Sequence, residues 1–222
     1  MKTGDLLLAV DTSTQIASIA LYDGVSVRAE MTWESLGHHT TELASRVAAM
    51  LDQANVQAAV LSGLAVALGP GSFMGLRIGM ALVKGLAMAR AIPLVGVPTL
   101  DVTAYAVRYR RTTLYATLQA GRGRICAAPY RWHRGGWRSA GEVMLTTWEE
   151  LVEGAEEGAT FCGELDACGL EALLGRGTRI GIVSAAKRLR RAGYLAELGW
   201  KRLLRGEQDN LSTLQPIYLH SL

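Results

Sequence analysis

The chain has 222 residues, of which half are apolar and 19% are charged, and its formal net charge is +3. This length and composition indicate one large or two small globular domains and exclude a disordered chain. No apolar stretch reaches the roughly 18 residues needed to span a bilayer, and the apolar run before Asp11 is too short for a secretory signal. The three cysteines lack metal-ligand spacing. We therefore expect a cytoplasmic protein that does not contact a membrane.

The first half of the chain has the pattern of a complete α/β domain. Continuous or alternating apolar runs predict strands, and apolar residues at helical spacing predict two helices. Asp23-Gly24 predicts a tight type I′ turn between the second and third strands. The predicted elements are strands Leu6–Val10, Ile16–Tyr22 and Val25–Trp33, helix His39–Ala54, strand Gly63–Leu68, helix Gly75–Ala91 and strand Leu94–Val97.

The second half has a similar layout, although no sequence repeat is visible. The predicted elements are strands Leu114–Leu118, Arg124–Tyr130 and Trp137–Leu145, helix Trp148–Glu157, strands Thr160–Cys162 and Arg179–Val183, and one long helix Ser184–Leu204. We therefore predict two lobes of similar topology, residues 1–103 and residues 104–222. The second lobe is the more basic, and its last segment has the option of returning to the first lobe.

Two segments of the first lobe are candidates for binding an anion or a nucleotide. Asp11, Thr12 and Ser13 follow a buried strand, where they can hold hydrated magnesium near phosphates or simply cap the turn. The loop G-P-G-S-F-M-G is neither a P-loop nor an exact dinucleotide fingerprint, but amides at the start of its helix can bind an anion. The candidate residues of this site are Asp11, Thr12, Ser13, Gly69, Gly71, Ser72 and Gly75.

Neither a catalytic centre nor a metal site is predicted. Ser72 lies in G-P-G-S-F, which differs from the G-x-S-x-G nucleophile elbow, and no Ser-His-Asp arrangement is evident. His38 and His39 are adjacent, so on a helix they point about 100° apart and cannot bind one ion together. The only candidate for a second phosphate loop is G-E-L-D-A-C-G, at residues 163–169.

The predicted helix Gly75–Ala91 has an unusually narrow polar face. Its only charges are Arg77, Lys84 and Arg90, and small residues recur four apart at Ala81, Gly85 and Ala89. A glycine inside a helix costs about 1 kcal/mol relative to alanine, so the glycines indicate close packing on more than one side. We expect a partner-binding surface on the two helices of the first lobe, formed by His39, Leu43, Val47, Met50, Arg77, Ala81, Gly85 and Ala89.

Two basic stretches lie in the second half. Residues 108–138 contain eight arginines and no acidic residue, and K-R-L-R-R occupies residues 187–191. Such stretches indicate either a solvated surface or a face that attracts a polyanion such as RNA. The interleaved aromatic residues Tyr109, Tyr130, Trp132 and Trp137 can stack on bases if they are exposed.

Several of these segments together resemble the TsaB family. The resemblance is carried by L-L-L-A-V-D-T-S-T-Q-I-A-S-I-A-L-Y-D-G, H-T-T-E-L, G-P-G-S-F-M-G-L-R-I-G and G-V-P-T-L-D, and by the ending Q-P-I-Y-L-H. It is dense over residues 6–101 and thin elsewhere. The sequence departs from the family pattern at Met74, Gln119 and His220, where threonine, aspartate and arginine are usual.

The resemblance implies an α/β fold of the two-lobed actin, Hsp70 and sugar-kinase type, which is ribonuclease H-like. It implies a non-catalytic subunit that supports TsaD, which with TsaE attaches threonylcarbamoyl to the adenosine beside the anticodon of tRNAs reading A-starting codons. TsaB proteins pair with TsaD, or with themselves when alone, through the first two helices. The partner enzyme binds ATP, and it binds a metal ion through an H-x-x-x-H motif that is absent here. The resemblance leaves open whether a nucleotide binds at the subunit interface.

Two alternative functions are compatible with the fold or with older names of such chains. One is an autonomous ATPase or kinase that uses Asp11 and the Gly69–Gly75 loop. The other is a glycoprotease-like peptidase, which the absence of a protease motif argues against.

Overall fold

The structure is a computed structural model that describes residues 4–35, 39–108, 111–177 and 180–219. The chain divides into two compact units. The first contains the residues up to Pro98 together with Arg191–Tyr218, and the second contains Thr99–Arg190 together with Leu219. This division differs from the expected one between residues 103 and 104, and a long C-terminal segment belongs to the first unit.

The first unit is built on a five-stranded sheet. Its strands are β1 (Leu6–Asp11), β2 (Ile16–Tyr22), β3 (Val27–Glu34), β4 (Leu61–Ala67) and β5 (Leu94–Val97). Their order is β3-β2-β1-β4-β5, with β1 parallel to β4, β4 parallel to β5, and the other neighbours antiparallel. The central strand β1 is buried along its whole length, which is why it has a continuous apolar sequence.

Helices cover both faces of this sheet. Helices α1 (His39–Gln53) and α2 (Phe73–Arg90) pack on the face that carries Leu8, Val10 and Leu64. A third helix, Ala192–Leu204, packs on the other face, where its Gly199 lies against Ala65. Successive strand residues point to opposite faces, so Leu64 and Ala65 belong to different layers. This third helix is the reason that residues 191–218 belong to the first unit.

The second unit is built on a six-stranded sheet. Its strands are β6 (Leu114–Gly121), β7 (Arg124–His133), β8 (Gly136–Ser139), β9 (Met144–Thr146), β10 (Thr160–Gly163) and β11 (Gly181–Ile182). The order is β11-β10-β6-β7-β8, and β9 also pairs with β7. Helix α3 (Thr99–Tyr105) packs on one face, and helices α4 (Trp148–Gly154) and α5 (Ala167–Gly175) pack on the other.

The remaining helices complete the chain. A short 3-10 helix spans Ala58–Val60, α6 spans Ala185–Arg188, and the Ala192–Leu204 helix is α7. In the ranges that the structure describes, none of the helices is long and apolar enough to cross a membrane.

The turn between β2 and β3 differs from the prediction. It contains four residues, 23–26, and the Asp23 carboxylate accepts hydrogen bonds from the amides of Val25 (2.9 Å) and Ser26 (2.7 Å). Two-residue turns occur instead at Arg122-Gly123 and Arg134-Gly135, where φ is positive at all four residues, as type I′ turns require. The Asp23-Gly24 prediction was wrong because the aspartate side chain organises a longer loop.

The long helix predicted over Ser184–Leu204 is two helices, α6 and α7. The chain is extended at Leu189 and Arg191, and between them Arg190 is buried against Glu164, with 2.8 Å between its Nη1 and the Glu164 Oε1. The break is also where the chain passes from the second unit to the first. Helical spacing therefore continues through a point where tertiary contacts interrupt the helix.

Three further elements of the second unit differ from the prediction. The single strand predicted over Trp137–Leu145 is the pair β8 and β9, which both pair with β7 at different positions. Helices α3 and α5 were not predicted. Of the strand predicted over Arg179–Val183, only Gly181–Ile182 is observed as a strand, β11, and Arg179 lies outside the described residues.

Candidate functional site

The end of β1 is fully enclosed by protein. Asp11 and Ser13 are 0% exposed and Thr12 is 2% exposed. The Asp11 carboxylate accepts a hydrogen bond from the amide of Ser13 (2.9 Å), and the Thr12 hydroxyl donates to the carbonyl of Gly75 (2.7 Å). The Asp11 carboxylate therefore stabilises the turn after β1, and the Thr12 hydroxyl links this turn to the glycine-rich loop.

The loop of residues 69–75 closes directly on the end of β1. The amide of Ser72 donates to the carbonyl of Ser13 (2.6 Å), and the Ser72 hydroxyl caps α2 by accepting from the amide of Gly75 (3.2 Å). A Cβ atom on Gly71 would lie well inside 3.0 Å of the Ser13 carbonyl oxygen, and one on Gly75 equally close to the Thr12 oxygen. These two glycines are required because two backbones approach each other.

This geometry does not fit a phosphate held between β1 and the loop. The amides of Ser13, Ser72 and Gly75 are each used by a protein acceptor, although free amides are what binds an anion at a helix start. The backbone of Ser13 and Thr12 lies directly against Gly71 and Gly75, which leaves no space for a phosphate between those two glycines and the end of β1. The fold thus brings the candidate anion-site residues together, but their polar groups bind one another instead of facing an open site.

Gly69 has a separate role at the start of the loop. Its φ is +106°, and a Cβ atom there would lie 2.6 Å from the carbonyl oxygen of Ile217. The amide of Ile217 donates to the carbonyl of Leu68 (2.7 Å), so the C-terminal segment runs beside the loop. The return of the last segment to the first unit was expected as an option, but its contact with the 69–75 loop was not, and the Q-P-I-Y-L-H ending was the signal that marked this segment.

The three cations of α2 contact other parts of the first unit. Arg77 Nε donates to the Tyr218 hydroxyl (3.0 Å), and its guanidinium lies 3.8 Å from the ring centroid of Phe73. Lys84 Nζ donates to the carbonyl of Leu214 (2.7 Å), and Arg90 donates to that of Ala59 (2.6 Å). The charged stripe therefore holds neighbouring segments of the chain itself.

The C-terminal continuation of the Arg77 row on α2 is uncharged and open. Ala81, Gly85 and Ala89 are exposed, and nothing lies within 4 Å of a Cβ atom built on Gly85. Met88 on the same helix is 73% exposed, which is high for a large apolar side chain. Gly79, by contrast, is buried against the Thr12 hydroxyl. The small residues of α2 thus form two groups, one packed on β1 and one facing outward.

Helix α1 presents a different face from the one expected. Leu43, Val47 and Met50, which were predicted at the partner-binding surface, are 2%, 6% and 1% exposed and belong to the core of the first unit. Their helical periodicity marked the face that packs on the sheet. The exposed side of α1 carries Ala44 and Ala48 instead. His39 begins α1, and its side chain, like all of His38, lies outside the described part of the chain.

The remaining candidate residues are accounted for within their units. The second candidate phosphate loop contains Asp166, whose carboxylate caps α5 by accepting from the Gly169 amide (2.8 Å). Among the described residues, no group of three or more His, Cys, Asp or Glu side chains could hold a metal ion. Burial raises the pKa of the Cys126 thiol to about 11 and also raises that of Cys162, so burial disfavours the reactive thiolate form of both.

The basic stretch at residues 187–191 is not a continuous basic face. Arg190 is buried with Glu164 in the second unit, and Arg191 forms an ion pair with Glu30 in the first. Lys187 is exposed, and Arg188 is half-buried.

The positions that depart from the family pattern have different surroundings. Met74 is 60% exposed at the start of α2. The backbone amide of Gln119 donates to Glu164 Oε2 (3.0 Å), whereas the buried side-chain Nε2 of Gln119 has no protein hydrogen-bond partner in the part of the chain that is described. His220 lies outside that part.

Comparisons with known proteins agree with this architecture. The family model of TsaD, tRNA N6-adenosine threonylcarbamoyltransferase, matches residues 27–164. Among solved structures, YeaZ from Pseudomonas aeruginosa is 27% identical with a TM-score of 0.79, covering 97% of this chain and 100% of that one. The ethanolamine utilization protein EutJ from Carboxydothermus hydrogenoformans is 11% identical with a TM-score of 0.54, covering 87% and 90%.

Two mixed sheets flanked by helices, with these structural neighbours, define an α/β protein that shares the fold of YeaZ and EutJ. The tRNA threonylcarbamoyladenosine biosynthesis protein TsaB of Bacillus subtilis is 30% identical over 96% of this chain and 93% of its own length. TsaB of Escherichia coli is 31% identical over 57% of this chain and 58% of its own length. The chain belongs to the TsaB family.

Proposed function

We propose that this chain acts in the biosynthesis of tRNA threonylcarbamoyladenosine as a non-catalytic subunit that binds TsaD. Membership in the TsaB family supports the pathway, because its relatives carry that name. In this proposal TsaD performs the transfer and binds ATP and a metal ion, TsaE joins the assembly, and tRNA is bound by the complex. The chain forms a homodimer when TsaD is absent.

The non-catalytic role is supported by the enclosed end of β1. An autonomous ATPase or kinase would need Asp11 and the 69–75 loop to accept magnesium and phosphate. Instead, Asp11 is fully buried, and the loop amides of Ser72 and Gly75 donate to protein oxygens. Opening this contact would break the hydrogen bond between Thr12 and Gly75. A peptidase has no support either, because Ser72 serves as the helix cap.

The single observation that carries the partner surface is the open row of Ala81, Gly85 and Ala89 on α2. Small residues four apart let a second helix approach closely, and the adjacent Met88 adds exposed apolar area. Arg77 lies one turn before Ala81 and is exposed, but its hydrogen bond to Tyr218 and its contact with Phe73 direct the guanidinium toward this chain's own segments. Ala44 and Ala48 extend the surface onto α1. Leu43, Val47 and Met50 are not part of it.

The test is Gly85→Leu, measured by titration against purified TsaD. A leucine at the centre of a close helix contact typically costs about 1–3 kcal/mol, which corresponds to roughly a tenfold to hundredfold weaker complex. At a concentration where the isolated chain is monomeric, the variant should melt no lower than the wild type, because the space around Gly85 is open within the chain. Gly154→Leu is the matched control, since Gly154 also lies in a helix with nothing within 4 Å of its Cβ position.

Formation of the modified nucleoside provides the second readout. Reactions containing TsaD, TsaE, tRNA and the threonylcarbamoyl-adenylate donor should yield threonylcarbamoyladenosine only when this chain is added, and Gly85→Leu should reduce the yield. Normal TsaD binding by Gly85→Leu would exclude the α2 row as the interface. Rapid ATP turnover by the purified chain alone would contradict the non-catalytic role.

A further inference from the structure

The arginines of residues 108–138 separate into two groups in the folded second unit. Strand β7 has ten residues, so its ends are about 30 Å apart. Arg122 and Arg124 lie at one end, where β7 follows β6. Arg134 and Arg138 lie at the other end, in the turn and the edge strand that follow β7.

Two more arginines lie beside this second end. The indole of Trp137 donates to the carbonyl of Val107 (2.8 Å), which brings Arg108 next to β8. The Thr113 hydroxyl donates to Glu156 (2.6 Å), and Glu156 also binds Arg131 (2.7 Å), which brings the nearby Arg111 to the same end. The basic patch is defined here as Arg108, Arg111, Arg134 and Arg138.

The basic patch keeps its positive charge. Arg131 is paired with Glu156, but within the described ranges no carboxylate lies within 4.0 Å of the guanidinium groups of the patch. Asp101 attracts Arg138, but its carboxylate accepts the hydrogen bond of the Tyr130 hydroxyl at 2.7 Å. All four patch residues are exposed. Four exposed guanidinium groups on two separate segments suit a ligand that carries several negative charges.

The aromatic residues beside the patch have a fixed arrangement. Trp132 and Trp137 are directly opposite in the β7–β8 pair, with ring centroids 5.4 Å apart in an edge-to-face arrangement. Both are half-buried, so each has an accessible part. Because Trp137 is also hydrogen-bonded to Val107, the β7–β8 hairpin is held firmly against the segment that carries Arg108.

We propose that the basic patch binds the phosphate backbone of RNA, with Arg134 and Arg138 as its main contacts. Guanidinium groups bind phosphate through paired hydrogen bonds, and a polyanion spaced along a chain can meet all four. This inference rests on the proposed function, in which the complex that contains this chain binds tRNA. It gives the second unit a direct part in holding that tRNA, which the alternative basic stretch at 187–191 is too neutralised to supply.

The test compares two double variants in the complex with TsaD. Arg134→Gln with Arg138→Gln removes two patch charges. Arg122→Gln with Arg124→Gln is the control, because it removes the same charge from the other end of β7. The two pairs match closely, since each combines a strand arginine with a turn arginine of positive φ (46° and 56°).

The readout is tRNA affinity from 50 to 200 mM salt, measured by fluorescence anisotropy. Each phosphate contact contributes about 0.7–0.9 to the slope of log affinity against log salt. Loss of two contacts should therefore make the fall in affinity over this range about tenfold smaller for the patch variant, and should leave the control unchanged. TsaD binding should be the same for both variants.

An unchanged salt slope in the patch variant would overturn the proposal, as would an equal change in the control. Charged residues also protect edge strands from pairing with other chains. Self-association of the patch variant with unaltered tRNA affinity would assign the arginines to that role and overturn RNA binding. A wild-type chain that fails to bind TsaD would instead refute the proposed function, so the two failures are distinguishable.

Discussion

The contact between the 69–75 loop and the end of β1 predicts that a glycine-to-alanine substitution lowers stability at residue 75 of α2 but not at residue 85. Gly75→Ala places a methyl group well inside 3.0 Å of the Thr12 carbonyl oxygen, which belongs to the backbone of a buried strand end and cannot rotate away. Gly85→Ala places the same methyl group in open space. Both changes gain the same kind of helix propensity, up to about 1 kcal/mol. The difference between them therefore reports the steric strain at residue 75.

The size of that difference follows from the geometry. Ordinary van der Waals contact begins near 3.4 Å, so the Gly75→Ala variant must move either β1 or the first turn of α2. Overpacking of this kind typically costs about 1–3 kcal/mol. For a chain of this size each kcal/mol changes Tm by about 2–4 °C. Gly75→Ala should melt roughly 2–12 °C below Gly85→Ala, and Gly85→Ala should melt at or above the wild type.

Scanning calorimetry of the isolated chain measures both variants, and far-UV circular dichroism before melting confirms that each is folded. Equal melting temperatures for the two variants would refute the close approach of Gly75 to Thr12. A Gly85→Ala variant that is destabilised even at concentrations where the chain is monomeric would show that residue 85 packs inside the unit, which would also remove the basis for the partner surface on α2.

Three further predictions concern the isolated chain. Millimolar MgATP should leave Tm within about 1 °C of its value without nucleotide, whereas a site filled 100-fold over its Kd would add about 2.7 kcal/mol, or roughly 5–10 °C; a shift of that size would mean that the loop opens for phosphate. Ellman's reagent should modify only the exposed Cys168 in the native chain and all three cysteines after unfolding, because Cys126 and Cys162 are buried and their thiol pKa values are raised; rapid native labelling of a second thiol would contradict this. Hydrogen bonds from Arg205 and Arg202 lower the pKa of Glu207 to about 2. Glu207 therefore contributes to the free energy of unfolding at pH values above its pKa in the unfolded chain, and this contribution is lost as pH falls through its pKa in the folded chain. The stability difference between the wild type and Glu207→Gln should thus be constant near neutral pH, shrink below about pH 5 and vanish near pH 2, and a difference that grows in acid would exclude this assignment.

The amino-acid sequence alone determined the local elements of the first unit. Strand β2 and strand β5 have the predicted bounds, and α1 and α2 differ from them by at most two residues. This succeeded because apolar periodicity depends on neighbours only a few positions apart. The family motifs near Asp11 and Gly69 likewise pointed to the correct fold, since they lie where β1 ends and where α2 begins.

Tertiary structure decided what those motifs contact. The 69–75 loop binds residues about 60 positions earlier, and α7 begins where the Ala192 amide meets the Ser18 hydroxyl, 174 positions away. No local pattern records such pairs. The apolar stripe of α1 could equally have faced a partner or the sheet, and the sheet buried Leu43, Val47 and Met50. For the same reason the small residues of α2 divide into Gly75 and Gly79, which let β1 approach, and Ala81, Gly85 and Ala89, which β1 does not reach.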